Sequence, residues 1–222
     1  LIAVLDSGID YTHPEFRNAD GSSRILAIWD QTGNGNPPKG FTVGTEYGQE
    51  EINESLGSTP LPIRDLSGHG TAVAAIAAGN SGVAPQAQLL VVKLGNLSAS
   101  TFSKTTELMM AVEYAYQKAL EVQMPLVINL SFGTVYGPHN GTGLLETYLD
   151  EMMGRWKSVI VVGTGNEGNA AGHVHSTLQE GTDTVIPFSV AAGETGLNVQ
   201  VWKSYTDQFD ISLQAPDGTQ IG

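Results

Sequence analysis

Four short polar segments in this chain hold residue types that can do acid–base or electrophilic chemistry. They are Asp6-Ser7-Gly8, Gly68-His69-Gly70-Thr71, Asn129-Leu130-Ser131-Phe132-Gly133 and Gly163-Thr164-Gly165-Asn166. Asp6 taken alone is ordinary turn chemistry. His69 is sharper. A His between two glycines at the start of a helix is poorly placed as packing, and the positive end of the helix dipole favours the neutral imidazole that a general base requires. The pair says more than either part: a buried Asp can hold an imidazole in one tautomer and stabilise the imidazolium that forms.

These side chains need a scaffold, and the apolar pattern supplies one. Residues 1–5 are a short apolar run ending in a turn, which reads as a buried strand. Residues 71–78 are Ala-rich and helical, with Gly79-Asn80 as the stop. Residues 89–94 form the next buried-type strand. A helix follows over 105–122, with Leu108, Met109, Val112, Tyr116 and Ala119 at helical spacing and Ser103 or Thr105 as its cap. Residues 126–130 are a strand, Leu145, Tyr148, Leu149, Met152 and Trp156 mark a helix, and residues 159–162 are another strand. Alternating strand and helix predicts an α/β fold, a doubly wound and mostly parallel sheet covered on both faces. In such sheets reactive groups gather at the C-terminal ends of the strands, where three of the four polar segments fall.

Two stretches break the pattern. Residues 17–67 are polar and rich in Gly and Pro, apart from 25–29, and read as a surface insertion. After Gly165 the alternation stops. Residues 184–191, 197–202 and 209–214 read as strands, with turns at Gly193-Glu194-Thr195-Gly196 and Pro216-Asp217-Gly218. The expected organisation is therefore residues 1–169 as one α/β body and residues 170–222 as the start of an inserted β-sandwich or jelly-roll segment, both incomplete.

Composition excludes several functions. The 222 residues carry 10 Lys+Arg against 23 Asp+Glu, a net charge of −13, so recognition of nucleic acid through phosphates is disfavoured. No apolar run approaches the ~18–20 residues of a transmembrane helix, so no membrane span is expected. Cys is absent, which removes disulfides and thiolate metal sites. The chain opens on Leu1-Ile2-Ala3-Val4-Leu5 without a basic leader. Both ends read as cut from something longer.

Other constellations compete for attention. Gly163-Thr164-Gly165-Asn166-Glu167-Gly168 satisfies a dinucleotide fingerprint after a strand, with Asp183 downstream, but that fingerprint must open a helix and the sequence that follows is polar and β-like. His173 and His175 share one face of a strand, yet no third zinc ligand is evident. Met109, Met110, Met152 and Met153 are core or near-core helix residues.

Taken in order, the segments resemble a known family. Val4-Leu5-Asp6-Ser7-Gly8-Ile9-Asp10, with His13-Pro14 behind it, resembles the catalytic Asp segment of the subtilisin-like serine proteases. Ser67-Gly68-His69-Gly70-Thr71-Ala72-Val73-Ala74 resembles their His segment, and Gly82-Val83-Ala84-Pro85-Gln86-Ala87 the turn after the His helix. Val127-Ile128-Asn129-Leu130-Ser131-Phe132-Gly133 is similar to their substrate-binding strand, and Gly165-Asn166-Glu167-Gly168 to their oxyanion loop. The resemblance implies that Asp6 orients His69, that His69 is the general base, and that the Asn166 amide donates to the tetrahedral oxyanion. It implies that Ser131 and Gly133 pair with substrate backbone and that Gly133, Gly163 and Gly165 wall the primary specificity pocket. Glu167 would sit near the base of that pocket, so a large and basic P1 residue is expected. Phe102 would line an outer pocket, although Ala99 interrupts the stretch where the family usually has glycines. Acidic members of the family often bind calcium. Here Gly79 to Gly82 is a short link and Glu15 stands where many members have Asp. No cofactor or metal ligand is therefore assigned, and calcium fits only as a family habit.

A family nucleophile would lie in Gly-Thr-Ser-x-Ala/Ser-x-Pro, and no such segment occurs. Ser176, Ser189, Ser204 and Ser212 lack that context. The expected function is a serine endopeptidase acting on peptide or protein substrates, with its Ser supplied by a C-terminal half beyond residue 222 and its own propeptide as a further partner. The 222 residues alone are expected to be inactive. The alternative is a catalytically inactive relative that binds or signals. The β-rich segment after residue 170 resembles the jelly-roll domain of the clostridial germination proteases, the Csp group, and their gut-bacterial relatives. That subgroup implies a bacterial protein, extracellular or spore-associated.

Overall fold

The computed structural model describes residues 1–95, 104–131, 133, 136–155 and 157–221. Phe102, Ser103 and Trp156, singled out above, lie outside the described residues. The chain divides into two compact units. The first comprises Leu1–Val135 and Leu144–Gly172; the second comprises Tyr136–Gly143 and His173–Gly222.

The first unit is built on a six-stranded sheet: β1 (Ile2–Asp6), β2 (Ile25–Asp30), β3 (Thr45–Gly48), β4 (Leu89–Lys93), β5 (Leu126–Leu130) and β6 (Ser158–Val162). Their spatial order is β3-β2-β4-β1-β5-β6, and only the β2–β3 pair is antiparallel. In register, Ile2 faces Leu89 on one side of β1 and Val127 on the other. The helices are α1 (Gln49–Leu56), α2 (His69–Ala78), α3 (Thr105–Glu121) and α4 (Leu144–Met153).

The side-chain period of two decides what each face does. Ala3, Leu5, Trp29, Leu90, Val92, Ile128 and Leu130 point to one face and pack with Leu108, Ala111, Val112 and Ala115 of α3 and Met152 of α4. Val4, Ile25, Ile28, Leu89 and Val91 point to the other and pack with Ala74 and Ala78 of α2 and Ile52 of α1. Over β2, β4 and β1 the sheet is thus covered on both faces, as its two-sided apolar strands require. Across β5–β6 the second face is open: Val159 and Val161 are about half exposed, at 50% and 49%. No helix among the described residues is long and apolar enough to cross a membrane.

Residues 17–67 do more than the surface insertion that their composition suggests. They contribute β2, β3 and α1, and they bury Ile25, Ile28, Trp29 and Ile52 completely. Their Gly and Pro residues crowd the connections, and that density hides two strands of ordinary length. The α3 cap also differs from expectation. Its N-cap is Lys104, whose N–H donates to Glu107 at 3.2 Å, and Thr105 is already inside the helix.

Among the described residues the second unit holds one small antiparallel ladder, β7 (Leu213–Gln214) with β8 (Gln220–Ile221). Residues 184–191 and 197–202, expected as strands, carry no ladder among the described residues, and all of them are exposed. Alternating apolar residues give a strand its preference, but only a neighbouring strand supplies its hydrogen bonds.

Candidate active site

β1 ends on Asp6, and α2 begins on His69. α2 packs against β1 so closely that a Cβ on Gly70 would lie 2.2 Å from the Gly8 carbonyl oxygen. A glycine is therefore required beside His69, and the two polar turns meet. Asp6 is buried, with its side chain 3% exposed, while the His69 ring is 54% exposed. Asp6 Oδ1 lies 2.7 Å from His69 Nδ1 and also accepts the Ser7 N–H at 2.7 Å. A carboxylate can only accept, so the contact assigns a proton to Nδ1, and in the neutral imidazole Nε2 then carries none. Asp6 Oδ2 is buried and has no hydrogen-bond partner among the described residues.

A second carboxylate underlies this pair. Asp65 accepts from Ser7 Oγ at 2.8 Å, Gly68 N at 3.0 Å, Thr71 N at 2.8 Å and Thr71 Oγ1 at 2.7 Å. Burial raises its pKa, but the hydrogen bonds from Thr71, Ser7 and Gly68 outweigh that and hold the carboxyl below its ordinary value. The first N–H groups of α2 are all accounted for: Ser67 Oγ takes His69 N–H at 3.1 Å, Ser7 Oγ takes Gly70 N–H at 3.0 Å, and Asp65 takes the flanking two. Sequence reasoning gave Asp65 no role. The available signal was an Asp and a Ser just ahead of a helix whose cap position is Gly68, which has no side chain to cap with.

The remaining candidates lie along the same edge of the sheet. β1, β5 and β6 are adjacent and parallel, so the residues that follow them emerge together at the C-terminal edge. Ser131 follows β5, and its Oγ donates to Asn129 Oδ1 at 3.0 Å. Gly163 follows β6, and its N–H donates to the Leu130 carbonyl at 3.0 Å, which extends the pairing one step past the strand. Gly165 has φ of +84° and turns the chain ahead of Asn166 and Glu167, both exposed. A Cβ at Gly133 or Gly165 would meet nothing within 4 Å, and one at Gly163 would only touch Leu130 and Ser131 at 3.8–3.9 Å. These glycines line open space and do not by themselves close a pocket. Phe102 lies outside the described residues. Both oxygens of Glu15 are engaged by Ser81, Oε2 by its N–H at 2.8 Å and Oε1 by its hydroxyl at 3.0 Å.

A family model described as the subtilase family, peptidase S8, matches residues 1–215. The chain belongs to the subtilase family. It is 28% identical to subtilisin E of Bacillus subtilis over 97% of its own length and 46% of that protein's. It thus spans about half the length of the curated subtilases it matches. Among solved structures it is similar to the CspB protease of Clostridium perfringens, with 39% identity, a TM-score of 0.70, and coverage of 78% of this chain and 37% of that one. It is also similar to the S41 psychrophilic protease, with 26% identity, a TM-score of 0.52, and coverage of 75% and 46%. The subtilase fold thus accounts for the mostly parallel sheet and the helix-borne His69.

Proposed function

We propose that this subtilase chain is the Asp- and His-bearing part of a serine endopeptidase. The observation that carries the reading is the 2.7 Å contact between buried Asp6 and exposed His69 at the C-terminal edge of a parallel sheet. In this reading His69 Nε2 takes the proton of an attacking serine hydroxyl and returns it to the leaving amine. Asp6 holds the tautomer and stabilises the imidazolium between the two steps. The Asn166 amide donates to the oxyanion, an interaction whose removal costs about 2.7–4 kcal/mol in such sites. Ser131 and Gly133 pair with substrate backbone, and Gly163, Gly165 and Glu167 shape a site for a large, basic P1 residue. The nucleophile comes from sequence outside these 222 residues, since no Ser here has the family's nucleophile context. Peptides or proteins are the substrates, and the protein's own propeptide is a further partner. A bacterial extracellular or spore-associated setting fits relatives drawn from Bacillus and Clostridium.

The test uses the full-length protein. It is expected to react with a fluorophosphonate probe and to hydrolyse peptides with basic P1 residues. Asp6→Asn is expected to lower kcat by about 10⁴-fold through the wrong imidazole tautomer. A full-length protein that neither takes the probe nor cleaves any peptide would point instead to a binding or signalling relative. A peptide library in which only small P1 residues are accepted overturns the role of Glu167.

A further inference from the structure

We propose that Asp65 is the positioning residue of the Asp6–His69 pair, tying the turn after β1 to the first turn of α2 and so fixing the imidazole against its carboxylate. The inference rests on the reading of His69 as the general base. The His69 ring is more than half exposed, so packing does not hold it. Its place is set by Asp6 on one side and by its own backbone on the other, and Asp65 grips the chain next to both: Ser7 after Asp6, and Gly68 and Thr71 around His69. Oδ1 of Asp65 accepts the hydroxyl of Ser7, the residue after Asp6, at 2.8 Å. Oδ2 accepts both the N–H and the hydroxyl of Thr71, two residues after His69, at 2.8 and 2.7 Å.

The connection is more than a helix cap. A cap needs only the N–H groups of its own helix. Here the same carboxylate also holds Ser7, whose oxygen in turn accepts the Gly70 N–H at 3.0 Å. The Ser67 hydroxyl proton lies within reach of Ser7 Oγ at 2.8 Å and Asp65 Oδ1 at 3.2 Å, and Ser67 Oγ accepts the His69 N–H at 3.1 Å. Thr71 carries the linkage further, since its oxygen accepts the Asp10 N–H at 2.9 Å. The hydroxyls of Ser7 and Thr71 and the N–H groups of Gly68 and Thr71 converge directly on one acceptor-only group, and the remaining donors reach it through those hydroxyls or that of Ser67. An amide in its place keeps a single acceptor oxygen and turns its NH₂ toward other donors. Displacing a reacting group by an ångström costs on the order of 10²-fold in rate.

The experiment compares Asp65→Asn with wild type in the full-length protein by two readouts. One is kcat and KM on a peptide substrate. The other is the downfield proton NMR resonance shared by His69 Nδ1 and Asp6. The expected result is a fall of about 10²-fold in kcat at a KM within two-fold, with the resonance broadened or lost. Wild-type kcat and an unchanged resonance, with only a lower melting temperature, overturn the proposal and leave Asp65 a structural cap. If Asp65→Asn does not fold, Thr71→Val and Ser7→Ala each remove one arm of the node, and wild-type values in both overturn it equally. His69→Ala is the control for the reading beneath. If hydrolysis survives it, or if the full-length protein does not hydrolyse peptides at all, the base assignment fails, and the resonance alone still decides what Asp65 does.

Discussion

Gly70 sets a sharp constraint on the site although it has no side chain to do chemistry with. In most helices Gly→Ala gains up to about 1 kcal/mol from helix propensity. At Gly70 the new methyl would sit 2.2 Å from the Gly8 oxygen and 3.1 Å from Asp6 Cβ, so the β1 turn or α2 must move. Overpacking of this kind costs about 1–3 kcal/mol, which exceeds the propensity gain. Gly70→Ala is therefore expected to lower the denaturant midpoint, and a midpoint raised by the substitution would show that α2 sits farther from β1 than described. Asp65 gives a pH dependence at the same scale. Its folded pKa lies below the ordinary carboxyl value, near 3.9 for an unfolded Asp. The stability it contributes is then fully present above that value and is lost as pH falls through the lower, folded one. Denaturant midpoints of wild type and Asp65→Asn are expected to differ at pH 7 and to converge below about pH 4. A gap that stays constant with pH would mean that the charge of Asp65 contributes nothing.

At the scale of elements, α2 must be held at both ends if His69 is to stay in place. Its C-terminal end is fixed through Arg24, just ahead of β2. The buried guanidinium donates to the carbonyls of Ala78 at 2.6 Å, Glu15 at 2.6 Å and Ala87 at 2.8 Å. Asn80 Nδ2 adds bonds to the Pro14 and Arg17 carbonyls at 3.0 and 3.1 Å. Arg24→Met keeps the stem but removes these bonds; the Glu15 carbonyl keeps the Asn80 N–H at 3.0 Å, while those of Ala78 and Ala87 lose the guanidinium, at about 1–3 kcal/mol for each one that stays unsatisfied. The expected loss is about 3 kcal/mol or more, read as a lower midpoint in equilibrium unfolding; a loss under about 1 kcal/mol would mean that other donors replace the guanidinium. None of this was legible in the sequence, because Arg24, Glu15 and Ala78 meet only after the chain has folded. What was legible has a local cause. β1, β4, β5 and β6 are short apolar runs, α3 has helical apolar spacing, and Asp6 and His69 sit in turns that their neighbours announce. β3 was missed because it is short and its partner β2 lies well back along the chain, and α1 because it is mostly polar, with Ile52 its buried apolar residue. The strands expected over residues 184–191 and 197–202 fail for the converse reason: their pattern is strand-like, and nothing in the pattern says which neighbour completes the ladder.

For the whole molecule, that converse case separates two levels of stability. β1 and β4 lie inside the six-stranded sheet with partners on both sides, and Ala3, Val4, Leu5, Leu90, Val91 and Val92 are fully buried. Their amides should open only with the whole first unit. In the second unit Phe188, Val190, Val199 and Val201 stay at least half exposed, and among the described residues the ladder is confined to Leu213–Gln214 with Gln220–Ile221. Apolar residues alternating along an unpaired backbone carry both an uncovered face and open hydrogen-bonding edges, which is an arrangement that recruits further strands. Amide hydrogen exchange resolves the two levels. In the 222-residue chain, residues 184–191 and 197–202 are expected to exchange at rates close to those of an unfolded peptide, while β1 and β4 exchange orders of magnitude more slowly. In the full-length protein the same two segments are expected to gain protection as they acquire neighbours, with β1 and β4 unchanged or slower still. If both segments exchange as fast in the full-length protein as in the 222-residue chain, their alternation marks an exposed apolar surface and not the strands of a β-sandwich.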